Sequence, residues 1–181
     1  MNALTRLCRH LWLDADDARR TLGDAAITHL EQRIRDSEDR HLGEICICVE
    51  ASLPLADVWR VVLGAESVDA AVHQRALALF GELRVWDTEL NNGVLIYVQL
   101  AEHRIEIVAD RGLAARTRCA SWQQALDEAG EDFRAGRYEA GLQRAVDVVG
   151  GALEACFPAS GGDQEGRPAE RDQLPNRPTF R

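Results

Sequence analysis

The sequence has no lysine: all 21 of its basic residues are arginine. That excludes Schiff-base catalysis and the lysine-bearing phosphate loop, both of which need a primary amine. Long apolar stretches are missing as well. No unbroken apolar run exceeds five residues, as at 94–98, against the roughly 20 that a membrane-spanning helix requires. Residues 1–14 are interrupted by Arg6 and Arg9 and lack the apolar centre of an export signal. A cytoplasmic protein without membrane insertion is expected. Positive charge is scarce, with a formal net charge of -9 and a pI near 5.0. Nonspecific nucleic acid and anionic lipid are therefore poor partners, because both are bound through a basic face. The five cysteines (Cys8, Cys46, Cys48, Cys119, Cys156) are an odd set without a Cys-x-x-Cys pair. Neither a disulfide framework nor a zinc knuckle is expected.

What is present is a core-forming chain of 181 residues, 46% of them apolar, enough for one sizeable core and too little for two. Residues 14–41 carry Ala18, Leu22, Ala25, Ala26, Leu30 and Ile34 at helical spacing, with Asp14 and Asp16 as caps and Gly23 as the place for a break. The run 44–50 (Glu-Ile-Cys-Ile-Cys-Val-Glu) reads as a central strand buried on both faces. Two helices, from Pro54 to Val62 and from Val68 to Leu83, are long enough to carry the chain across a sheet face between parallel strands. After a polar loop at 86–93, two β-rich runs at 94–100 and 104–110 form a hairpin, the second nearer a sheet edge. Helical spacing returns from Trp122 to Phe133 and from Ala140 to Phe157, where Pro158 stops it. Residues 1–158 are read as one domain. Residues 159–181, dominated by Gly, Pro and charged residues, are read as a disordered or loosely packed tail.

Taken in order, these pieces form a specific pattern. Ala76-Leu77-Ala78-Leu79-Phe80 closes a helix; Thr88 precedes Asn91-Asn92-Gly93-Val94-Leu95-Ile96-Tyr97-Val98; a strand ends Val108-Ala109-Asp110-Arg111-Gly112; a later helix opens on Ser121-Trp122. Phe133, Gly136, Tyr138, Gly141, Gly150-Gly151 and Phe157-Pro158 continue it. The sequence resembles the short cytoplasmic form of the TPM-domain family over residues 14–158. Asn91 stands where that family usually has Arg, and Ala109 where it usually has Gly. The resemblance implies an α/β fold: a three-layer α/β/α sandwich around a small, mostly parallel sheet of about four strands with one hairpin. It also implies divalent-cation binding, phosphatase-like activity, or a role beside membrane-associated companions such as LemA-like proteins.

The residues themselves offer one oxygen-rich cluster. A hairpin turning at Glu102 and His103 sets Asp110 across from Leu95, which brings it to the end that also holds Asp87, Glu89, Asn91 and Asn92. Asp87, Asn92 and Asp110 are the candidate ligands of a weak Ca²⁺ or Mg²⁺ site, both being hard cations that take oxygen donors. The alternative is a solvated loop in which Asn92-Gly93 turns into the strand and Asp110 caps a helix at 112–118. Asp14-Ala15-Asp16 has the spacing of a phosphotransfer pair, but a helix start explains both aspartates. Cys46 and Cys48 share one strand face and read as small apolar packing residues. The histidines read as surface or helix-face residues, and the tryptophans as core packing at element ends. No nucleophile with an adjacent base stands out. The expected function is a non-catalytic accessory module that binds a protein partner. The alternative, resting on the family alone, is an acid phosphatase with Asp87 and Asp110 holding the metal and Asp132 or Glu131 as base.

Overall fold

The structure, a computed structural model, describes residues 3–116, 120–159 and 173–181, with the backbone course alone over 120–126. Its centre is β1 (Glu44–Glu50), buried at every position. On one side β1 pairs in parallel with β2 (Gly93–Gln99), also buried throughout. Strand β2 pairs antiparallel with β3 (Arg104–Ala109), and the other side of β1 pairs in parallel with β4 (Thr179–Phe180). The order is β3-β2-β1-β4.

The period-two geometry of strands divides the core into two layers. Ile45, Ile47 and Val49 join Val94, Ile96 and Val98 on one face; Cys46 and Cys48 join Leu95 and Tyr97 on the other. The first face is covered by α2 (Ala15–Leu22), α3 (Asp24–Glu38), α7 (Ala120–Arg134) and α8 (Tyr138–Cys156), through Ala18, Leu30, Ile34, Phe133 and Leu142. The second is covered by α4 (Leu55–Val62) and α5 (Val68–Glu82), through Val58, Val61, Val72, Ala76 and Leu79. Each buried Val, Leu, Ile or Phe among them contributes about 1.5–3 kcal/mol, which is why apolar residues fill both strand faces. Helices on both sides of a mostly parallel sheet with one hairpin make the expected α/β/α sandwich.

Four local features refine the sequence reading. The helix over 14–41 is two helices, broken at Gly23, whose φ of 82° favours glycine. Asp14 starts the first: its Oδ1 accepts from Asp17 N at 2.9 Å, and Asp17 Oδ2 accepts from Asp14 N at 3.1 Å, a capping box. Residues before Asp14, left unassigned from sequence, form α1 (Ala3–Trp12), which packs against α4. The hairpin register differs by two residues from the one expected. Gln99 faces Arg104 across a loop of residues 100–103, so Asp110 stands opposite Gly93 rather than Leu95, and its N–H donates to Gly93 O at 2.9 Å.

Of the segment read as a loose tail, 160–172 lie outside the described residues, while 173–181 supply the fourth strand. Leu174 is buried with the residues of α4 and α5, and Phe180 packs against the opposite cluster. The reading missed this because two strand residues among prolines and arginines carry no periodicity.

Candidate functional site

The parallel strands begin where the sequence placed its oxygen cluster. Asn92 is buried: its N–H donates to Thr88 Oγ1 at 3.1 Å, and its Nδ2 donates to Leu42 O at 2.8 Å, tying the loop before β2 to the loop before β1. Gly93 follows because a Cβ there would overlap the carbonyl oxygen of Val85. Gly112 is held the same way against the Asn91 and Leu90 carbonyls, and its N–H donates to Asn91 O at 2.9 Å. The turn residue in left-handed conformation is Asn91, with φ 52°. Its Oδ1 accepts from Arg111 Nη2 at 2.8 Å and Nε at 3.0 Å.

These contacts set Asn92 one residue before Gly93, the residue that Asp110 faces across the hairpin. Asp110 is 8% exposed and caps the short α6 (Arg111–Ala114), its Oδ1 accepting from Arg111 N at 2.6 Å. Its Oδ2 is buried with no hydrogen-bond partner among the described residues. The guanidinium nearest in sequence, that of Arg111, is spent on Asn91. A buried carboxyl oxygen without a hydrogen-bond partner is costly, and a hard cation is a chemistry that would satisfy it. Asp87 lies on the preceding loop, exposed, its carboxylate 3.7 Å from Arg84. Among the described residues no group of three or more His, Cys, Asp or Glu could hold a metal ion. The donor set here is one carboxylate with neighbouring amide and hydroxyl oxygens, which fits a weak site only.

The two residues considered as bases are placed elsewhere. Asp132 on α7 accepts from Arg137 at 2.7 Å and 2.9 Å and from Arg144 at 3.4 Å; the Arg137 hydrogen bonds, above all, hold its carboxyl below the usual range. The adjacent Phe133 meets His103 through its backbone, at the loop end of β3. Asp110 leaves the opposite end of that strand. Glu131 is exposed. The structure does not bring either to Asp110.

The opposite end of the sheet carries polar residues that sequence reasoning missed. Glu50, at the end of β1, accepts from Arg75 Nη2 at 2.7 Å and Nε at 3.0 Å, and from Tyr97 Oη at 2.6 Å. Burial first, then the Glu50 charge, pushes the Tyr97 phenol well above its ordinary value. Glu102, on the hairpin loop, accepts from Arg6 Nε at 2.6 Å and contacts His10 Nε2 at 3.1 Å. Burial alone would raise this carboxyl, but the His10 and Arg6 hydrogen bonds hold it below its ordinary value. His10 is 4% exposed, not a surface residue, and His41 is buried too. Leu53 N–H donates to His10 Nδ1 at 3.2 Å, so Nε2 carries the proton towards Glu102. Ser52 Oγ lies 3.1 Å from Nδ1 but donates to His10 O at 2.7 Å. Serine, histidine and glutamate thus meet in a triad's order, yet the accepting nitrogen is taken by Leu53 and the hydroxyl by a carbonyl. The group clasps α1 to the sheet and activates no nucleophile.

Cys46 and Cys48 lie as read, buried on one face, with burial pushing their thiols up to about 12 and about 11. The tryptophans do not. Trp12, Trp59 and Trp86 are 84%, 48% and 49% exposed, and the Trp122 side chain lies outside the described residues. Trp59 belongs to a stripe of Leu55 and Trp59 on α4 and Leu63 at its C-cap, at i, i+4 and i+8, all exposed. Neighbouring α1 exposes Leu4, Leu11 and Trp12. Hydrophobicity at helical spacing reads as core from sequence, and only the packing reveals that these stripes face outward.

An open, mostly parallel sheet between two helical layers, entered through Asn92-Gly93 and left through the helix-capping Asp110, defines a small α/β/α sandwich domain. The TPM domain matches residues 15–152; the chain belongs to the TPM-domain family. It is similar to the BA42 protein from the psychrophilic bacterium Bizionia argentinensis sp. nov., whose NMR structure superposes with a TM-score of 0.67 at 26% identity, over 87% of this chain and 93% of that one. No curated protein matches it. No helix among the described residues is long and apolar enough to cross a membrane.

Proposed function

We propose that this TPM-domain protein is an accessory module that docks an amphipathic helix of a protein partner on the outer face of α1 and α4. The observation that carries the reading is the exposed pair of apolar stripes, Leu55, Trp59 and Leu63 beside Leu4, Leu11 and Trp12. Scattered exposed leucines are ordinary, but large apolar side chains concentrated on two neighbouring helices mark an interaction surface. The i, i+4, i+8 spacing is the pattern by which helices seat against one another. The charges beside the stripe are neutralised within it, Arg60 reaching Asp57 at 3.4 Å and Glu66 at 2.9 Å, which leaves an apolar contact with a balanced rim.

The same reading includes a weak Ca²⁺ or Mg²⁺ site on Asp110 Oδ2, with Asn92 beside it and Asp87 on the loop above. A photo-crosslinking amino acid placed at Trp59 or Trp12, with Asp147 on α8 as control, tests the docking face. One and the same protein captured from both tryptophan positions and not from Asp147 is the expected result. Equal capture from all three, or none from the first two, removes the proposal. Titrating Ca²⁺ or Mg²⁺ alone while following the Asn92 and Asp110 amide resonances tests the cation, and no movement at millimolar metal rules it out.

A further inference from the structure

The hairpin loop is pinned by one imidazole. His103 ends the loop with a φ of 52°, a left-handed conformation that costs free energy for a residue with a side chain. Its half-buried ring reaches two helices at once. Nδ1 lies 3.0 Å from Tyr138 Oη at the start of α8, the two rings stack with centroids 6.1 Å apart, and the ring is hydrogen-bonded to the backbone of Phe133 on α7. Tyr138 packs in turn on the buried ring of Phe133, 5.7 Å away. The ring donates to the Phe133 carbonyl, which leaves Nδ1 to accept the Tyr138 hydroxyl proton; that arrangement needs a neutral imidazole. The charges around it point the same way. Arg9 of α1, which donates to Ala101 O at 3.2 Å, faces the ring. Arg104 of β3 is paired with Asp69, Glu102 is shared by Arg6 and His10, and Asp132, next to Phe133, is paired with Arg137 and Arg144. Burial first and the Arg9 charge second hold the imidazole below its ordinary value of 6.5, against the opposing pull of Phe133 and Glu102.

We propose that His103 is a proton-operated latch: neutral, it fastens the loop of residues 100–103 to the corner between α7 and α8, and on taking up a proton it releases the loop and, through Glu102, loosens α1. A proton on Nδ1 turns the bond to Tyr138 round, leaves the hydroxyl proton to find another acceptor and sets a second cation beside Arg9. The released loop exposes its imidazole to water and binds a proton more readily than the fastened one. The fastening is therefore complete above the ordinary value of 6.5 and is lost as pH falls from there through the lower value of the fastened ring. Glu102 is held below its own ordinary value of 4.5, so the window of the latch opens at higher pH than that of the clasp on α1. Because α1 carries half of the docking face, the consequence for a partner rests on the function proposed above; the latch itself does not.

The test follows the full chain by NMR through the range in which imidazoles titrate, about pH 8 to 5. The His103 ring reports protonation. The Ala101 and His103 amides, which donate to Ala51 O and Leu100 O, report the loop through their protection from exchange, corrected for the intrinsic effect of pH. The expected result is a ring midpoint below 6.5, with protection of both amides falling by up to about tenfold per pH unit, the limit for one proton. His103→Asn tolerates the left-handed turn and does not titrate, so its protection should stay flat over the same range. Arg9→Gln removes the neighbouring charge and should move the ring midpoint upward. A midpoint at or above 6.5 in the unaltered chain, or a loop that loosens equally in His103→Asn, overturns the latch, and a midpoint unmoved by Arg9→Gln counts against it. None of these readouts involves a partner, so a failure of crosslinking at Trp12 and Trp59 would sink the docking face and leave the latch to be judged on its own titration.

Discussion

The two ends of the sheet treat buried carboxylates in opposite ways. Where β1 and β2 finish, Glu50 is met by Arg75 and Tyr97, and Glu102 by Arg6 and His10. Where they begin, Asp110 keeps a buried Oδ2 without a partner, and Arg111 turns to Asn91 instead. One end is an internally neutralised structural joint, sealed by α1 and α5. The other leaves a buried carboxylate oxygen without a hydrogen-bond partner among the described residues, an arrangement that costs stability unless another group meets it. Open α/β sheets commonly bind ligands beyond the carboxyl ends of their parallel strands; here that end is filled by the chain's own side chains, and the unpartnered carboxylate oxygen lies at the other.

The contrast can be broken in stages. Arg75→Ala strands Glu50 in the interior and is expected to cost about 3–5 kcal/mol in urea denaturation; a loss below about 1 kcal/mol would mean that the joint is not a joint. At the other end the constraint is steric. Gly93→Ala drives a methyl into the Val85 carbonyl and is expected to cost about 1–3 kcal/mol, with the Asn92 amide resonance displaced. Acid should loosen the first end through Glu102. Glu102 is held below its ordinary value of 4.5, so its contribution is complete above that pH and is lost as pH falls through its lower folded value. Amide exchange in α1 should accelerate over that window, and a flat profile would show that the clasp does not hold the helix. The smallest effect belongs to Asp110→Asn, which keeps the acceptor for Arg111 N–H and replaces the unpartnered carboxylate oxygen with an amide nitrogen. Stability should change by less than about 1 kcal/mol, while any response to Ca²⁺ or Mg²⁺ disappears. A loss as large as that of Arg75→Ala would erase the difference between the two ends.

Much of the frame was readable because it rests on local periodicity. The buried run at 44–50, the hairpin, the helix start at Asp14 and the stops at Gly23 and Pro158 each follow from side-chain spacing or a backbone preference. The hairpin register was not readable to the residue: the loop extends over Leu100 and Ala101, and a polar turn signal locates a bend without fixing which residues pair. His10, Ser52 and Glu102 are 42 to 92 positions apart, and nothing in their local sequence announces that they meet. The outward stripe on α4 was invisible for a different reason. A helix with apolar residues on several sides has only one side the sheet can cover, and the pattern does not say which.

The sequence by itself determined the composition limits, the order of helices and strands, the two-faced central strand and the family pattern, because these depend on neighbours along the chain. Tertiary structure alone decided that residues 173–181 complete the sheet, that Arg75 rather than solvent balances Glu50, and that Asp110 keeps an oxygen without a donor. Each of those depends on which distant groups share a small dehydrated volume, where one missing hydrogen bond outweighs any local propensity.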